Sequence, residues 1–357
     1  MTTNRRVVSS FCLGLLLYLA IEALLFRSHL YRRVLLASSS TGSLEMVLDA
    51  ERNRPFRHPN QVLALGDSRM ALRTYIANSL NTGYTYGFAG IAGTLPRVWY
   101  YLLRDVDPTG NRYSAILLPV ENYDDEDWED IANRSTDLNF LLYRLRYGDL
   151  AEFAGSYPTL ESKFLAARGI LLRGFVLKAD FQDFLASPSA RVKMADAQIS
   201  QWYSAQQYYY GSDKTMDGLS IDWLKLKATY PAQLKKAERD TIDGALLRGT
   251  IEQTGKRAAY MRKWFGKIAE AYRGKRTTLL FYRMPRGPLV RPVNPSTYKT
   301  HSIRELARLP NVILLDENLL NELERPEYFM DGMHLNGEGC RRFTLILTAE
   351  VKRVLGN

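Results

Sequence analysis

Two short motifs, far apart in the chain, carry the residue types of nucleophilic acyl transfer: Gly66-Asp67-Ser68 and Asp331-Gly332-Met333-His334. A serine hydroxyl is a weak nucleophile at neutral pH. It needs a base beside it, and the base needs an orienting group. Ser68, His334 and Asp331 supply these three parts, with Asp331 holding the imidazole tautomer and stabilising the imidazolium. The tetrahedral intermediate also needs fixed donors for its oxyanion. Such chemistry requires no metal and no organic cofactor. Ser68 also suits a helix N-cap after a βα turn, and Asp67 suits a turn-fixing role. His29, His58 and His301 stand in no comparable pattern.

The elements that must position these residues are legible as apolar or β-rich runs: Val62–Leu65, Tyr84–Phe88, Ala115–Val120, Thr277–Arg283 and Val312–Leu315. Helical stretches lie between them, which predicts a parallel sheet covered on both faces. The runs lack clean alternation, as strands buried on both sides do. Ser68 then follows the first strand, Gly87-Phe88-Ala89-Gly90 the second, and Asn122 the third. Asp331 and His334 follow the loop after the fifth. Open α/β sheets gather ligand and catalytic groups outside the carboxyl ends of their strands, and every candidate falls at that edge.

Residues 125–256 interrupt the rhythm and read as a helical insertion, with helices expected at Ser162–Leu177, Asp180–Ser187, Ser189–Trp202 and Ala232–Thr254. A crossover helix, Lys256–Tyr272, returns the chain to the sheet. Within the insertion, Trp202, Tyr203, Tyr208, Tyr209 and Tyr210 form an aromatic cluster that suits sugar rings or core packing.

These blocks resemble the SGNH, or GDSL-like, hydrolase superfamily. The first block is Gly66-Asp67-Ser68, with Arg69 where many members have leucine. The second is Gly87-Phe88-Ala89-Gly90, and the resemblance implies an oxyanion held by the backbone N–H groups of Ser68 and Gly90 with the Asn122 side chain. In the third, Val120-Glu121-Asn122-Tyr123, the asparagine matches, but Val120 replaces the usual glycine and Tyr123 the usual aspartate. The fourth is Asp331-Gly332-Met333-His334, and the following Leu335-Asn336-Gly337-Glu338-Gly339 is similar to members that modify bacterial cell-surface polysaccharides. The resemblance covers residues 61–123 and 277–350. It implies a three-layer, flavodoxin-like fold with five parallel strands. It also implies an esterase or O-acyltransferase acting on acyl, most simply acetyl, esters of an envelope glycan. A non-catalytic polysaccharide-binding or scaffold protein of the same fold is the alternative from another class.

The bulk properties agree with an envelope setting. The net charge is +10, but the lysines and arginines are scattered, without a recognition motif or basic tail. Nucleic acid is therefore not the expected partner; attraction to anionic lipid headgroups or anionic polysaccharide fits the charge as well. Val7–Phe26 is an almost unbroken apolar run interrupted by Glu22. At ~1.5 Å rise per residue it matches a bilayer core. An uncleaved anchor fits better than a signal peptide, because the run is long and Arg27, Arg32 and Arg33 follow it. The expected layout is an anchor at 7–26, a juxtamembrane linker at 27–58 broken at Ser38–Ser43, and an α/β domain from 59–124 and 257–357. The catalytic domain is expected on the outer side of a bacterial-type inner membrane, an arrangement with room for a membrane partner that supplies acyl groups. Cys12 and Cys340 do not read as a disulfide pair.

Overall fold

The computed structural model describes residues 2–54, 60–124, 131–208, 211–247, 256–291 and 301–356. In chain order, α1 (Thr2–Glu22) continues through a π-helical turn, Ala23–Arg27, to α2 (His29–Arg32) and α3 (Ser40–Asn53). Next come β1 (Gln61–Gly66), α4 (Thr74–Ser79), β2 (Thr85–Gly90), α5 (Pro96–Val106) and β3 (Ala115–Val120). A helical run follows: α6 (Thr136–Leu141), α7 (Leu150–Gly155), α8 (Leu160–Leu171), α9 (Gly174–Ala186) and α10 (Pro188–Tyr208). The remainder is β4 (Ser220–Asp222), β5 (Lys227–Thr229), α11 (Lys236–Leu246), α12 (Lys256–Ala271), β6 (Thr278–Arg283), α13 (Ser302–Leu306), β7 (Val312–Leu314) and α14 (Gly337–Leu355).

The protein is α/β, with a five-stranded sheet in the order β2-β1-β3-β6-β7 and every neighbouring pair parallel. All six residues of β1 and of β3 are buried, as their unbroken apolar character requires. Successive strand residues face opposite sides. Phe281 of β6 meets Phe265 of α12 with ring centroids 5.1 Å apart, and the next residue, Tyr282, meets Phe343 of α14 at 5.9 Å. These two contacts put α12 on one face and α14 on the other. On the α12 side, Trp99 and Tyr101 of α5 pack against Phe265 and Trp264. The strand order reverses between β1 and β3, so the carboxyl ends of these two strands flank a topological switch point.

The chain divides into two compact units, residues 1–46 with 133–202, and residues 47–132 with 203–357. This differs from the expected layout in three places. The supposed linker is helical: Ser39 accepts the N–H of Gly42 at 3.0 Å, so the serine-rich break is the N-terminal cap of α3. Leu44, Val47 and Leu48 of that helix are buried. The expected insertion also splits. Its first part belongs to the helical unit, while Met216, Leu219, Leu234 and Ile242 are buried in the core of the sheet unit. That second part includes an antiparallel hairpin, β4 with β5, which the sequence pattern did not suggest. One stretch, Ser9–Arg32, contains an 18-residue window of mean hydropathy 2.0 and is long and apolar enough to cross a membrane.

Candidate active site

The strand-to-helix turn after β1 carries Ser68. Met70 donates its N–H to the Asp67 carbonyl at 3.2 Å, and Arg69 donates its own to Asp67 Oδ1 at 2.8 Å. Asp67 therefore fixes this turn, as expected. The next helix, α4, starts only at Thr74 with Arg73 as its N-cap, so Ser68 caps no helix. The Ser68 hydroxyl instead stands 2.9 Å from His334 Nε2 and is exposed.

The other end of this bond is built locally. Asp331 Oδ1 accepts the backbone N–H groups of Met333 at 2.7 Å and His334 at 2.8 Å. This wraps the four-residue motif around the carboxylate and leaves Oδ2 at 2.9 Å from His334 Nδ1. A carboxylate cannot donate, so this bond requires the proton on Nδ1 and leaves Nε2 as the acceptor facing Ser68. The loop is secured downstream as well. Asn336 caps α14 by accepting the Gly339 N–H at 2.9 Å, while its amide donates to the Lys214 and Glu327 carbonyls. A side chain at Gly339 would come within 2.4 Å of the Tyr328 carbonyl oxygen, which explains the glycine. Gly332 lies against Ile242 and Ala245 of α11.

The electrostatics follow from these bonds. The hydrogen bond to Asp331 raises the His334 pKa above the ordinary histidine value, against an opposing effect of burial. Burial pushes Asp331 up, but the bonds from His334 and the two backbone N–H groups outweigh it and hold the carboxylate below its usual range.

Of the expected oxyanion donors, Asn122 follows β3 at the same sheet edge. Its Oδ1 accepts the Tyr123 N–H at 2.9 Å, which orients the amide and makes Nδ2 its donor end. Tyr123 is buried, with its hydroxyl 2.9 Å from the Phe281 carbonyl and 2.7 Å from that of Leu315. It ties the Asn122 loop to β6 and to the residue just after β7. Gly90 is the last residue of β2 and pairs with Gly66. Thr85 and Ile91 donate their N–H groups to the carbonyls of Asn60 and Gly66. Strand alternation therefore turns the Gly90 N–H away from β1. Just beyond, Thr94 donates back to Ile91 at 3.2 Å, closing a turn with Gly93 at φ +76°. The Thr94 hydroxyl is 3.2 Å from the Gly66 carbonyl, which fastens this turn to the end of β1. Gly93 was not singled out from sequence, although its spacing after the Gly-Phe-Ala-Gly block was visible.

A chain of charges joins the Ser68 turn to the Asn122 loop. Arg69 Nη2 lies 2.7 Å from Asp67 and Nη1 2.8 Å from Glu121, and Glu121 is met on its other oxygen by Arg257 at 2.5 Å. Burial opposes the Arg69 charge, but Glu121 and Asp67 more than compensate and raise its pKa. Beside this chain a small solvent-open cleft is lined by Val120, Glu121, Asn122, Asp124, Arg257, Met261 and Ile303. Asn122 is on its wall; Ser68 and His334 are not. Asp124 is paired with Arg304 and lies 2.7 Å from His301 Nδ1, which gives His301 a local hydrogen-bonding position.

The aromatic cluster falls largely outside what can be described. Tyr209, Tyr210 and His58 lie outside the described residues, and so do residues 125–130 at the start of the expected insertion. Cys340 is buried and Cys12 exposed, both with free thiols. Comparison with protein-family models finds no match, and comparison with curated proteins finds none either.

Proposed function

We propose that this chain is a serine esterase or O-acyltransferase of SGNH type, anchored to a membrane by its N-terminal helix and acting on acyl esters of an envelope glycan. The observation that carries the reading is the relay from Ser68 through His334 to Asp331 at hydrogen-bond distance. It lies at the carboxyl edge of a parallel sheet whose order, with strands renumbered along the chain, is the flavodoxin-type 2-1-3-4-5. The anchor reading is supported by Ser9–Arg32. An extracytoplasmic, bacterial setting and a glycan substrate come from the resemblance described above.

In this mechanism Ser68 Oγ attacks the ester carbonyl carbon while its proton passes to His334 Nε2. The carbonyl π bond opens and its electron pair becomes the oxyanion. Collapse of the intermediate breaks the bond to the leaving alcohol, which takes the proton from His334. The acyl-serine is then attacked by water or a sugar hydroxyl, again deprotonated by His334, and Ser68 regains its proton from His334 on release. The oxyanion donors in this reading are the Ser68 N–H and Asn122 Nδ2. For the third, the Gly93 turn suits the role better than Gly90, whose N–H points away from the strand that carries Ser68. Each such donor contributes ~3 kcal/mol to lowering the barrier.

The test is hydrolysis of a small acetyl ester by the purified chain, with and without a glycan acceptor. Release of free acid alone marks an esterase, and acyl appearing on the glycan marks a transferase. Complete inertness of the wild-type chain toward acyl esters would leave the non-catalytic binding reading in its place.

A further inference from the structure

We infer that the elbow between α8 and α9 is an interfacial membrane surface, in which Phe164, Leu171 and Phe175 enter the lipid and Arg168 meets the headgroup phosphates. The inference rests on reading Ser9–Arg32 as a membrane span and adds to it a second point of lipid contact.

The first observation is how the end of the span is held. Glu22 accepts the Gly174 N–H at 3.2 Å, and Arg27 donates to the carbonyls of Ile170 and Leu171 at 2.5 and 2.8 Å. Arg173 donates to the Phe26 carbonyl at 3.2 Å. The Phe26 ring lies so close to Gly174 that a side chain there would come within 2.9 Å of it. Ile170, Leu171, Arg173 and Gly174 of the elbow are thus fastened level with residues 22–27 of the span. A bilayer crossed by this helix has its interface at that level.

The second observation is what the elbow exposes. Leu171 and Phe175 are 44% and 48% exposed, and Phe164 and Leu160 farther back on α8 are 65% and 83% exposed. Positions 160, 164, 168 and 171 fall on one helix face. Large apolar side chains scattered singly are ordinary, but a row of them beside the end of a span is not. Arg168 joins the row: its guanidinium is 4.8 Å from the Phe175 ring centroid and 6.0 Å from that of Phe164. A cation set among aromatic rings is the arrangement that suits the headgroup boundary, with rings among the upper acyl carbons and the charge at the phosphates.

The occupant is the bilayer rather than another protein, because the span delivers this face to that boundary whenever it is inserted. Burying the face there removes apolar area from water without any further partner.

The experiment uses the full-length chain in vesicles of phosphatidylcholine and phosphatidylglycerol, with an environment-sensitive fluorophore on single cysteines. Native Cys12, exposed and within the span, reports insertion; Cys340 is buried. In a Cys12→Ser background the label is moved to the elbow by Phe164→Cys or Phe175→Cys. Lipids brominated at shallow acyl positions should quench both elbow labels by at least half, and aqueous iodide should reach neither. If Cys12 is quenched by brominated lipid while the elbow labels remain open to iodide, the elbow faces water and the inference is wrong. Elbow labels shielded from iodide yet unquenched by bromine would show that protein covers the face, which also overturns it. An unquenched label at Cys12 would remove the span reading itself, and this inference with it.

Discussion

The bonds that aim His334 are local, whereas those that tie the Ser68 turn to its surroundings are not. Asp331 collects the N–H groups of Met333 and His334 and the imidazole within a four-residue motif. The Ser68 turn, fixed locally by Asp67, is tied to the rest of the sheet edge by Arg69 reaching Glu121, 52 residues away, and by Arg257 reaching the same carboxylate from 136 residues away. The imidazole, the base half of the site, is therefore aimed by bonds within its own motif, while the turn of the nucleophile half is joined to β3 and α12 by the charge chain. Damage to the two halves should look different. Removing a group from the base half should strike chemistry first. Removing one from the charge chain should strike stability first, because it leaves a partly buried partner charge uncompensated.

The largest effects should come from the pair that links the halves. Ser68→Ala and His334→Ala should each lower kcat for a small acetyl ester by a factor on the order of 10⁶, with the double variant no worse than either single one. Losses that multiply in the double variant would mean that the two residues do not act as one unit.

Asp331→Asn should lower kcat by roughly 10⁴. It should also move the pH profile. The base must be neutral, so kcat/KM rises with pH through the His334 pKa, which Asp331 holds above the ordinary value. With that charge gone the rising limb should shift to lower pH; a limb that stays in place would show that Asp331 does not set the imidazole.

Asn122→Ala should lower kcat by about 10²–10³ with little change in KM, the signature of a donor used only in the transition state. A change confined to KM would instead assign Asn122 to ground-state binding in the adjoining cleft.

The smallest effect on chemistry is expected from Glu121→Gln. It leaves Arg69 and Arg257 facing a neutral amide, at a cost of about 1–3 kcal/mol. That corresponds to a midpoint lower by several degrees in a melting curve, with kcat reduced less than tenfold. If Asp331→Asn lowers the midpoint as much as Glu121→Gln does, the contrast between the halves is broken.

The same contrast marks what was legible in the sequence. β1 and β3 could be read because strands buried on both faces are unbroken apolar runs. The Asp-x-x-His spacing could be read because its hydrogen bonds close within the motif. The Arg69–Glu121–Arg257 chain could not, since nothing in the spacing of these residues ties them together. The β4–β5 hairpin was missed because each strand is three residues long with no buried position, so it leaves no alternation to detect. The Ser38–Ser43 stretch was taken for a break because a serine that caps a helix and a serine in a loop look alike until the N–H it accepts is seen. Tyr123 carried no signal in the sequence because its role is three-dimensional: its hydroxyl meets the carbonyl of Phe281 within β6 and that of Leu315 just after β7.

The central claim is that His334 activates Ser68 as a nucleophile, and covalent trapping tests it most directly. The full-length chain is treated with a serine-reactive fluorophosphonate, digested, and the modified residue located by peptide mass spectrometry. The expected result is a single adduct on Ser68 that is lost in His334→Ala although the serine remains. An unlabelled Ser68 in the folded wild-type chain, or labelling that is indifferent to His334, would contradict the account.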